Sequence, residues 1–298
     1  MIIVRLMGGL GNQMFQYAAG KALAERLGVS LQLDRTFLDQ SFENPGYTLR
    51  NFELDVFQIS AGTAEKSVVA RMRKPLENSI HRKLSNMFPS LIRNHVFSET
   101  QKKLIKEFEL LTDPVYMEGY WQTEKYFLSI ADQLRSKDFI PVSAISSMNA
   151  ELVKSIGSTS SVSMHVRRGD YVTNVQTNKY HGICSVNYYQ HSAKMIVEKT
   201  GANHFYVFSD EPEWVRANIV LPYATTYISH NIARESYWDI VLMQHCKHHI
   251  IANSSFSWWG AWLNESRSKI VIAPKTWFND VYMNNQTENL IPTKWIRM

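Results

Sequence analysis

The first 34 residues show two hydrophobic periods in succession, one typical of strands and one typical of helices. The opening "MIIVRLM" is a short apolar run, and after a glycine-rich loop the apolar residues from Met14 to Leu27 recur at helical spacing. Asn12 is predicted to cap this helix and Gly28 to end it. The following "VSLQLD" alternates apolar and polar residues up to Asp34, which predicts a second strand. The pattern therefore predicts a β-α-β unit.

The second half of the chain alternates between strand and helix patterns throughout. The predicted strands span 161–167, 204–210, 224–230, 248–254 and 269–274. The predicted helices span 185–200, 211–219, 232–246 and 255–265. Short strands that alternate with helices of this length indicate a parallel sheet covered by helices on both faces.

The middle of the chain is less regular. Between 35 and 106 the pattern blurs, and Pro75 and Pro89 predict loops between helices. Residues 114–127 are typical of a strand, a loop and the start of a helix, and "IPVS" at 140–143 separates the two patterned halves. We therefore expect an α/β protein with two Rossmann-like domains, 1–142 and 143–298, that face each other across a cleft. Ligands of such sheets bind at the carboxyl ends of the strands.

Length and composition agree with two folded domains. The chain has 298 residues, of which 45% are hydrophobic and 20% are charged, and its apolar runs are much shorter than the roughly 20 residues that span a bilayer. The N-terminus lacks the charged region and cleavage site of a signal peptide. Two cysteines, Cys184 and Cys246, imply no disulfide framework. We expect a cytoplasmic protein.

Charge is unevenly distributed along the chain. The formal net charge is +5, yet the segment 65–106 alone has ten lysines and arginines against three glutamates. Such a segment can be a solvated helical face, which we favour, or a surface for nucleic acid or anionic lipid. The nucleic-acid alternative predicts binding that weakens steeply with salt.

The glycine loop after the first strand is a candidate phosphate site. Glycines allow close approach of a ligand to the backbone, and the next helix begins with free N–H groups. The dinucleotide motif G-x-G-x-x-G fits at Gly9 and Gly11, but Met14 replaces the third glycine. An oxidoreductase with Asp34 at the ribose is therefore a weak alternative, and a plain tight turn is another.

"HVRRGDY" at 165–171 is a more specific motif. Arg167 and Arg168 follow a predicted strand, and a guanidinium matches phosphate oxygens bidentately at any physiological pH. Alternation along the strand sends the two side chains to opposite faces. One arginine can then face a ligand while the other pairs with an acid such as Asp170. A surface ion pair is the structural alternative.

A second candidate anion site lies at the last predicted strand-to-helix junction. Ser254 and Ser255 combine hydroxyls with free helix N–H groups, although they can equally be ordinary helix caps. The tryptophans that follow Phe256 are expected in the core. Asp239, on the preceding helix, faces either solvent or the cleft, where a carboxylate suits the N–H donors of guanine.

Metal binding is not expected. His245, Cys246, His248 and His249 resemble a metal cluster by composition, but their spacing matches no tetrahedral site. The chain contains no Asp-x-Asp, and the acids of "FSDEPEW" at 208–214 are typical of a helix start. Arginines would then neutralise a diphosphate.

Taken together, four motifs resemble the bacterial α-1,2-fucosyltransferases of glycosyltransferase family 11, in order and in spacing. They are "GGLGNQMFQYA" at 8–18, "HVRRGDY" at 165–171, "FSDE" at 208–211 and "NSSFSWWGAWLN" at 253–264. The resemblance implies a GT-B-type fold. It also implies transfer of L-fucose from GDP-β-L-fucose to the 2-hydroxyl of galactose, with inversion and with neither metal nor other cofactor.

The resemblance also assigns roles to residues. The catalytic residues would be Arg167, at the β-phosphate, and Asn12, towards the fucose. The donor-binding residues would be Gly11, His165, Arg167, Asp239 at the guanine, Ser254, Ser255 and Phe256. The first domain would bind the acceptor and the second GDP-fucose.

The catalytic base and the acceptor stay open. His181, Asp170 or Asp34 could accept the proton, or the reaction could be dissociative, with a phosphate oxygen as the acceptor. The acceptor would be a galactose-terminated oligosaccharide of a surface polysaccharide, lipid-linked in one alternative. The basic segment would then contact the inner face of the inner membrane, and nucleic acid would not be a partner.

Overall fold

The computed structural model shows two compact units, the first ending at Val142 and the second beginning at Ser143. The residues that it describes are 1–39, 50–77, 95–99 and 104–298. Among them, no helix combines the length and the hydrophobicity that crossing a bilayer would require. Half of the basic segment 65–106 and the loop signal at Pro89 lie outside these ranges.

The first unit is built on a parallel sheet with the strand order β3-β2-β1-β5-β4. Its strands are β1 (Ile2–Arg5), β2 (Leu31–Asp34), β3 (Gly62–Thr63), β4 (Val96–Ser98) and β5 (Val115–Glu118). Its helices are α1 (Leu10–Leu27), α2 (Lys66–Glu77), α3 (Leu104–Glu109) and α4 (Ala131–Gln133), which continues as a π-helix over Leu134–Asp138. Short 3-10 turns cover Leu54–Val56, Glu124–Tyr126 and Leu128–Ile130.

The predicted β-α-β unit is confirmed as β1, α1 and β2. Gly28 ends α1 with φ of 63°, in the left-handed region that favours glycine. Gly20 lets α1 approach the sheet, because a Cβ atom there would lie 2.3 Å from Cγ2 of Val4. The close fit fixes the height of the glycine loop above the end of β1.

Two local predictions for this unit are wrong. Asn12 does not cap α1, because the helix begins at Leu10 and Gly9 occupies the capping position, which places Asn12 in the first turn. Pro75 lies within α2 instead of in a loop between helices. The structure also adds β3 and β4, whose short strands have no periodic signal in the sequence.

The second unit contains a parallel sheet with the strand order β11-β10-β9-β6-β7-β8. Its strands are β6 (Ser161–Val166), β7 (His204–Ser209), β8 (Ala224–Ile228), β9 (His248–Ile250), β10 (Val271–Ala273) and β11 (Ile296–Arg297). Its longer helices are α5 (Ser147–Ser158), α8 (Val186–Thr200), α10 (Tyr237–His245) and α11 (Ser255–Leu263). The shorter ones are α6 (Gly169–Thr173), α7 (Val175–His181), α9 (Pro212–Asn218) and α12 (Val281–Asn285), with 3-10 turns at Ala233–Ser236 and Gln286–Glu288.

Every strand and helix predicted for this half is present, with strands shorter than predicted at their carboxyl ends. The predicted 248–254 strand, for instance, ends at Ile250. The chain leaves the sheet there, so the polar residues that follow belong to loops at one edge. Because β6 and β7 are parallel neighbours, with Val166 opposite Ser209, the residues that follow these two strands meet at that edge.

The core of the second unit explains why the middle strands are continuously apolar. Val162, Met164, Phe205 and Val207 are fully or almost fully buried and pack under α8. Parallel strands that are covered on both faces read as apolar runs. The three tryptophans of α11 are confirmed as core, all at least 97% buried.

Candidate functional site

The site in the second unit centres on Arg167, which directly follows β6. Its Nη2 atom lies 2.5 Å from Oδ1 of Asp170, and its Nη1 atom lies 3.0 Å from Oδ2 of Asp210. The Tyr171 ring covers the guanidinium at 5.4 Å. Burial opposes the charge, but the carboxylates of Asp210 and Asp170 raise the pKa of Arg167. The arginine is therefore a fixed, permanent positive charge at the sheet edge.

Arg168 has a separate set of partners. Its Nε donates to Glu211 at 2.9 Å, and its guanidinium stacks on Trp214 at 3.4 Å from the ring centroid. The prediction that one arginine pairs with an acid is confirmed, although both do so: Arg167 pairs with Asp170 and Asp210, and Arg168 with Glu211. The contact of the other arginine with a ligand stays a prediction. Asp210 and Glu211 directly follow β7, the neighbour of β6, and so lie beside Arg167 and Arg168 respectively.

Asp210 connects the two arginine positions. Its Oδ1 accepts the backbone N–H of Arg168 at 3.0 Å, while its Oδ2 faces Arg167. Gly169 has no room for a side chain, since a Cβ atom there would lie 2.5 Å from Oδ2 of Asp210. The sequence interpretation treated these acids as a helix start and missed this role. Ligands of such sheets bind at the carboxyl ends of the strands, and this rule could have revealed the role, because "FSDE" follows the strand next to the one that ends at "HVRR".

His165 lies below the arginine in β6, 94% buried. Burial and the nearby Arg167 charge lower its pKa to about 3, so the imidazole is neutral at physiological pH. Its ring lies 5.6 Å from that of Phe256, and its Nδ1 is buried without a hydrogen-bond partner. The structure therefore brings His165 and Phe256 together and leaves a ring nitrogen unused.

The serine junction begins α11 as predicted. Ser254 holds the capping position but its side chain makes no capping bond, and Ser255 is the first helical residue. The ordinary-cap alternative thus fails for the Ser254 hydroxyl, while the first N–H groups of α11 have no partners within the helix. Asn253 fixes the junction by donating from Nδ2 to the carbonyls of His181 at 2.8 Å and of Trp277 at 3.2 Å.

Asp239 is partly buried in the first turn of α10. Burial raises its pKa to about 7, against the lowering effect of Asn231, whose Nδ2 donates to Oδ1 at 2.8 Å. A carboxylate removed from water in this way is a candidate for ligand recognition.

In the first unit, two buried glutamines fix the glycine loop. Gln13 donates to the carbonyls of Gly8 at 2.9 Å and Asn51 at 2.8 Å, and it accepts the N–H of Glu53 at 3.0 Å. Gln16 accepts the N–H of Met7 at 3.0 Å. The sequence interpretation missed both residues, because glutamine within a helical pattern carries no signal of its own.

Asn12 and Gly11 lie in the first turn of α1. Oδ1 of Asn12 accepts a hydrogen bond from Nε2 of Gln122 at 2.8 Å, which turns its NH₂ group away from Gln122. Gln122 lies in a turn where Trp121 has φ of 55°, and Glu99 accepts the backbone N–H of Trp121 at 2.9 Å. A non-glycine residue at positive φ marks local strain, which often accompanies function.

Two of the three candidate bases, Asp34 and Asp170, are engaged in other contacts, whereas Nδ1 of the third, His181, is buried without a hydrogen-bond partner among the described residues. Asp34 is fully buried and accepts from the Tyr116 hydroxyl at 2.6 Å and the Thr36 N–H at 2.9 Å. Asp170 binds Arg167, and the His181 ring stacks on Tyr171 at 4.7 Å. Burial lowers the pKa of His181.

The histidines near Cys246 take part in separate contacts. His248 Nδ1 accepts the N–H of Ile270 at 3.1 Å, and His249 Nδ1 lies 2.8 Å from the Ser163 hydroxyl. Across the described ranges, no group of three or more His, Cys, Asp or Glu is placed to hold a metal ion. Metal independence stays a prediction.

Comparison with known proteins establishes the family. Residues 63–298 match the model of glycosyl transferase family 11. The chain belongs to glycosyltransferase family 11. It is 38% identical to an Escherichia coli alpha-1,2-colitosyltransferase, over 100% of this chain and 98% of that protein. It is 33% identical to the E. coli O-antigen biosynthesis glycosyltransferase WbnK, over 98% and 99% of the two chains.

The fold class is confirmed as well. The structure of an Arabidopsis thaliana FUT1 mutant in complex with GDP matches with a TM-score of 0.50 and 9% identity, over 91% of this chain and 69% of that one. Such low identity shows the fold alone. With the two parallel-sheet α/β units, it confirms the predicted GT-B class.

Proposed function

We propose that this family 11 glycosyltransferase moves L-fucose from GDP-β-L-fucose to the 2-hydroxyl of a galactose residue, giving an α-1,2 linkage in a surface polysaccharide or O-antigen. The observation that carries the proposal is the Arg167 guanidinium, held between Asp170 and Asp210 at the carboxyl edge of the second sheet. The α-1,2 linkage named for one relative and the O-antigen role named for the other support it.

The charge on Arg167 matches the chemistry of this transfer. As the bond between fucose C1 and the β-phosphate oxygen breaks, negative charge grows on the diphosphate. Asp170 and Asp210 each engage one terminal nitrogen of Arg167, so further N–H groups of the fork can donate to phosphate. A donor fixed in advance stabilises charge that develops in the transition state.

In the proposal, the other donor-binding residues of the second unit bind the remaining parts of GDP. The first N–H groups of α11, with Ser254, Ser255 and Phe256, bind phosphate oxygens. Neutral His165 lies beside the nucleotide, and Asp239 accepts the N1–H and N2–H of guanine. Gly11 and Asn12 act from the first unit, which we propose as the acceptor domain.

The proton of the galactose hydroxyl needs an acceptor. Asp34 and Asp170 are engaged in other contacts, and burial lowers the pKa of His181, so we assign this role to an oxygen of the departing β-phosphate in a dissociative reaction. The bond from C1 to the β-phosphate oxygen breaks first, and galactose O2 then bonds to C1 from the opposite face, which inverts the anomeric configuration. The hydroxyl proton passes to the β-phosphate after GDP has separated from C1. The products are the α-linked glycan and GDP, which carries the proton.

A second donor sugar is favoured by one observation. The relative with 38% identity is named a colitosyltransferase, and colitose is L-fucose without its 3-hydroxyl. GDP-colitose would use the same guanine, phosphate and C1 chemistry. Transfer of colitose to galactose is therefore the alternative candidate.

One experiment tests both candidates. Purified protein is incubated with GDP-fucose or GDP-colitose, each with a panel of β-galactosides, and the new linkage is determined by NMR. Parallel reactions contain excess EDTA, which we expect to leave the rate unchanged since Arg167 provides the neutralising charge. Preference for GDP-colitose would transfer the proposal to the second candidate, and no product with either donor would overturn it.

The acceptor's carrier and the membrane are further parts of the proposal. We propose a galactose-terminated, lipid-linked oligosaccharide as acceptor and contact of the basic segment 65–106 with anionic lipid. Co-sedimentation with anionic vesicles at low salt tests that contact, with neutral vesicles as the control.

A further inference from the structure

A chain of hydrogen bonds leads from Asp239 to a buried asparagine on another helix. Asn231 donates from Nδ2 to Oδ1 of Asp239 at 2.8 Å. Asn149 donates from Nδ2 to Oδ1 of Asn231 at 3.0 Å, and Asn231 returns a bond to Oδ1 of Asn149 at 3.3 Å. His230 completes the chain, with Nε2 at 2.7 Å from Oδ1 of Asn149.

The carboxylate sets the direction of the whole chain. An ionised Asp239 can only accept, so Asn231 must present its NH₂ group to it. The Asn231 carbonyl is then left to accept from Asn149, whose own carbonyl accepts from His230. Each amide can satisfy its neighbours in one orientation only, and this orientation delivers a donor to Asp239.

The burial of Asn149 indicates that these hydrogen bonds are a stable part of the fold. This side chain is 99% buried in the first turn of α5, where an unpaired amide would be costly. Its oxygen and nitrogen are used by His230 and Asn231 alone among the side chains described. The amide pair thus anchors the loop that follows β8 to helix α5.

The charged groups on the elements packed around Asp239 do not stabilise its ionised form. Glu151 and Lys154 on α5, and Arg234 and Glu235 on the turn before α10, are exposed, and α11 has no titratable residue. Burial raises the pKa of Asp239 to about 7, and Asn231 is the contact that opposes the rise. Burial also lowers the pKa of His230, which is neutral at physiological pH.

We propose that Asn231 and Asn149 are positioning residues that keep Asp239 ionised and turn its second carboxylate oxygen towards the guanine of the donor. This inference rests on the proposed function, in which Asp239 contacts guanine. Three side chains then contribute to the affinity for guanine: Asp239 on α10, Asn149 on α5 and Asn231 on the loop after β8.

The test is GDP binding by titration calorimetry between pH 6 and 8.5 in the full chain. Asn231→Ala should weaken GDP binding by roughly tenfold to a hundredfold at pH 7, because hydrogen bonds to charged groups contribute that much. The loss should shrink towards pH 8.5, where Asp239 ionises even without Asn231. Asn149→Ala should shift the pH dependence in the same direction by a smaller amount.

Controls separate positioning from folding. Asn187→Ala, at an exposed helical site of the same unit, should bind GDP as the wild type does. Asn231→Gln, which retains the amide, should recover part of the affinity and of the wild-type pH profile. If Asn149→Ala fails to fold, the Asn231 pair of variants still decides the question.

The outcomes distinguish the two proposals. Unchanged GDP affinity in Asp239→Asn would overturn the guanine contact, and the inference with it. Loss of affinity in Asp239→Asn, with wild-type affinity and pH profile in Asn231→Ala, would overturn the inference alone. An equal loss at every pH in Asn231→Ala would also overturn it, since a merely structural role does not follow the ionisation of Asp239.

Discussion

Nη1 of Arg167 lies 3.0 Å from Oδ2 of Asp210, across the edge where strands β6 and β7 end. The contact joins two motifs that lie far apart in the sequence. Both side chains are about three-quarters buried, with exposed fractions of 24% and 25%. The charge proposed to act on the diphosphate is therefore held in place before any ligand binds.

Arg167→Ala should reduce glycosyl transfer by at least about 10²–10³-fold, because the transition state loses a fixed donor at the developing phosphate charge. The measurement is the rate of GDP release with a β-galactoside acceptor. Arg267→Ala, at an exposed position of the same unit, serves as the control and should keep the wild-type rate. Wild-type turnover in Arg167→Ala, with a normal thermal transition, would contradict the role.

Asp210→Asn should lower kcat by about tenfold to a hundredfold, in line with the loss of a charge-assisted hydrogen bond. Asp170 still holds the other nitrogen of Arg167, so the charge remains but loses its fixed direction. We expect KM for the donor to change less than kcat. Steady-state kinetics on Asp210→Asn and Asp170→Asn test this, and wild-type kcat in both would refute the positioning.

Asp239→Asn should unfold at a higher temperature than the wild type at pH 8 in the absence of GDP. Burial raises the folded pKa of Asp239 to about 7, above its ordinary value of 3.8, so folding favours the protonated form. The wild type thus loses stability as the pH rises from about 3.8 to about 7, whereas the variant does not. Melting curves between about pH 3 and 8 test the difference, which should shrink as the pH falls and disappear only near the ordinary pKa of 3.8.

Gln13→Ala should lower the free energy of unfolding by about 2–4 kcal/mol, since it leaves buried partners on the glycine loop unsatisfied. Gln58→Ala, which removes one hydrogen bond at an exposed side chain, should cost less than about 1 kcal/mol. Urea denaturation of both variants provides the comparison. Equal costs would show that the buried amide does not hold the loop.

The glycine loop illustrates which part of a site the sequence can predict. Its position after a strand and before a helix was clear from the change in hydrophobic period, and the structure confirms β1 and α1 around it. The contact of Gln122 with Asn12 spans 110 residues and was not predictable. Gln122 lies in an irregular turn, where no periodic pattern marks its direction.

The sequence alone determined the family, the two α/β units and the strand ends that carry polar chemistry. These properties are local, because strand and helix periods and the residues after each strand depend on neighbours in the chain. Only the tertiary structure decided that Asp210 and Glu211 pair with the arginines, and that Asn149 reaches Asn231 across 82 residues. Such partners depend on which strands and helices pack side by side, and that order is set by burial of the whole core.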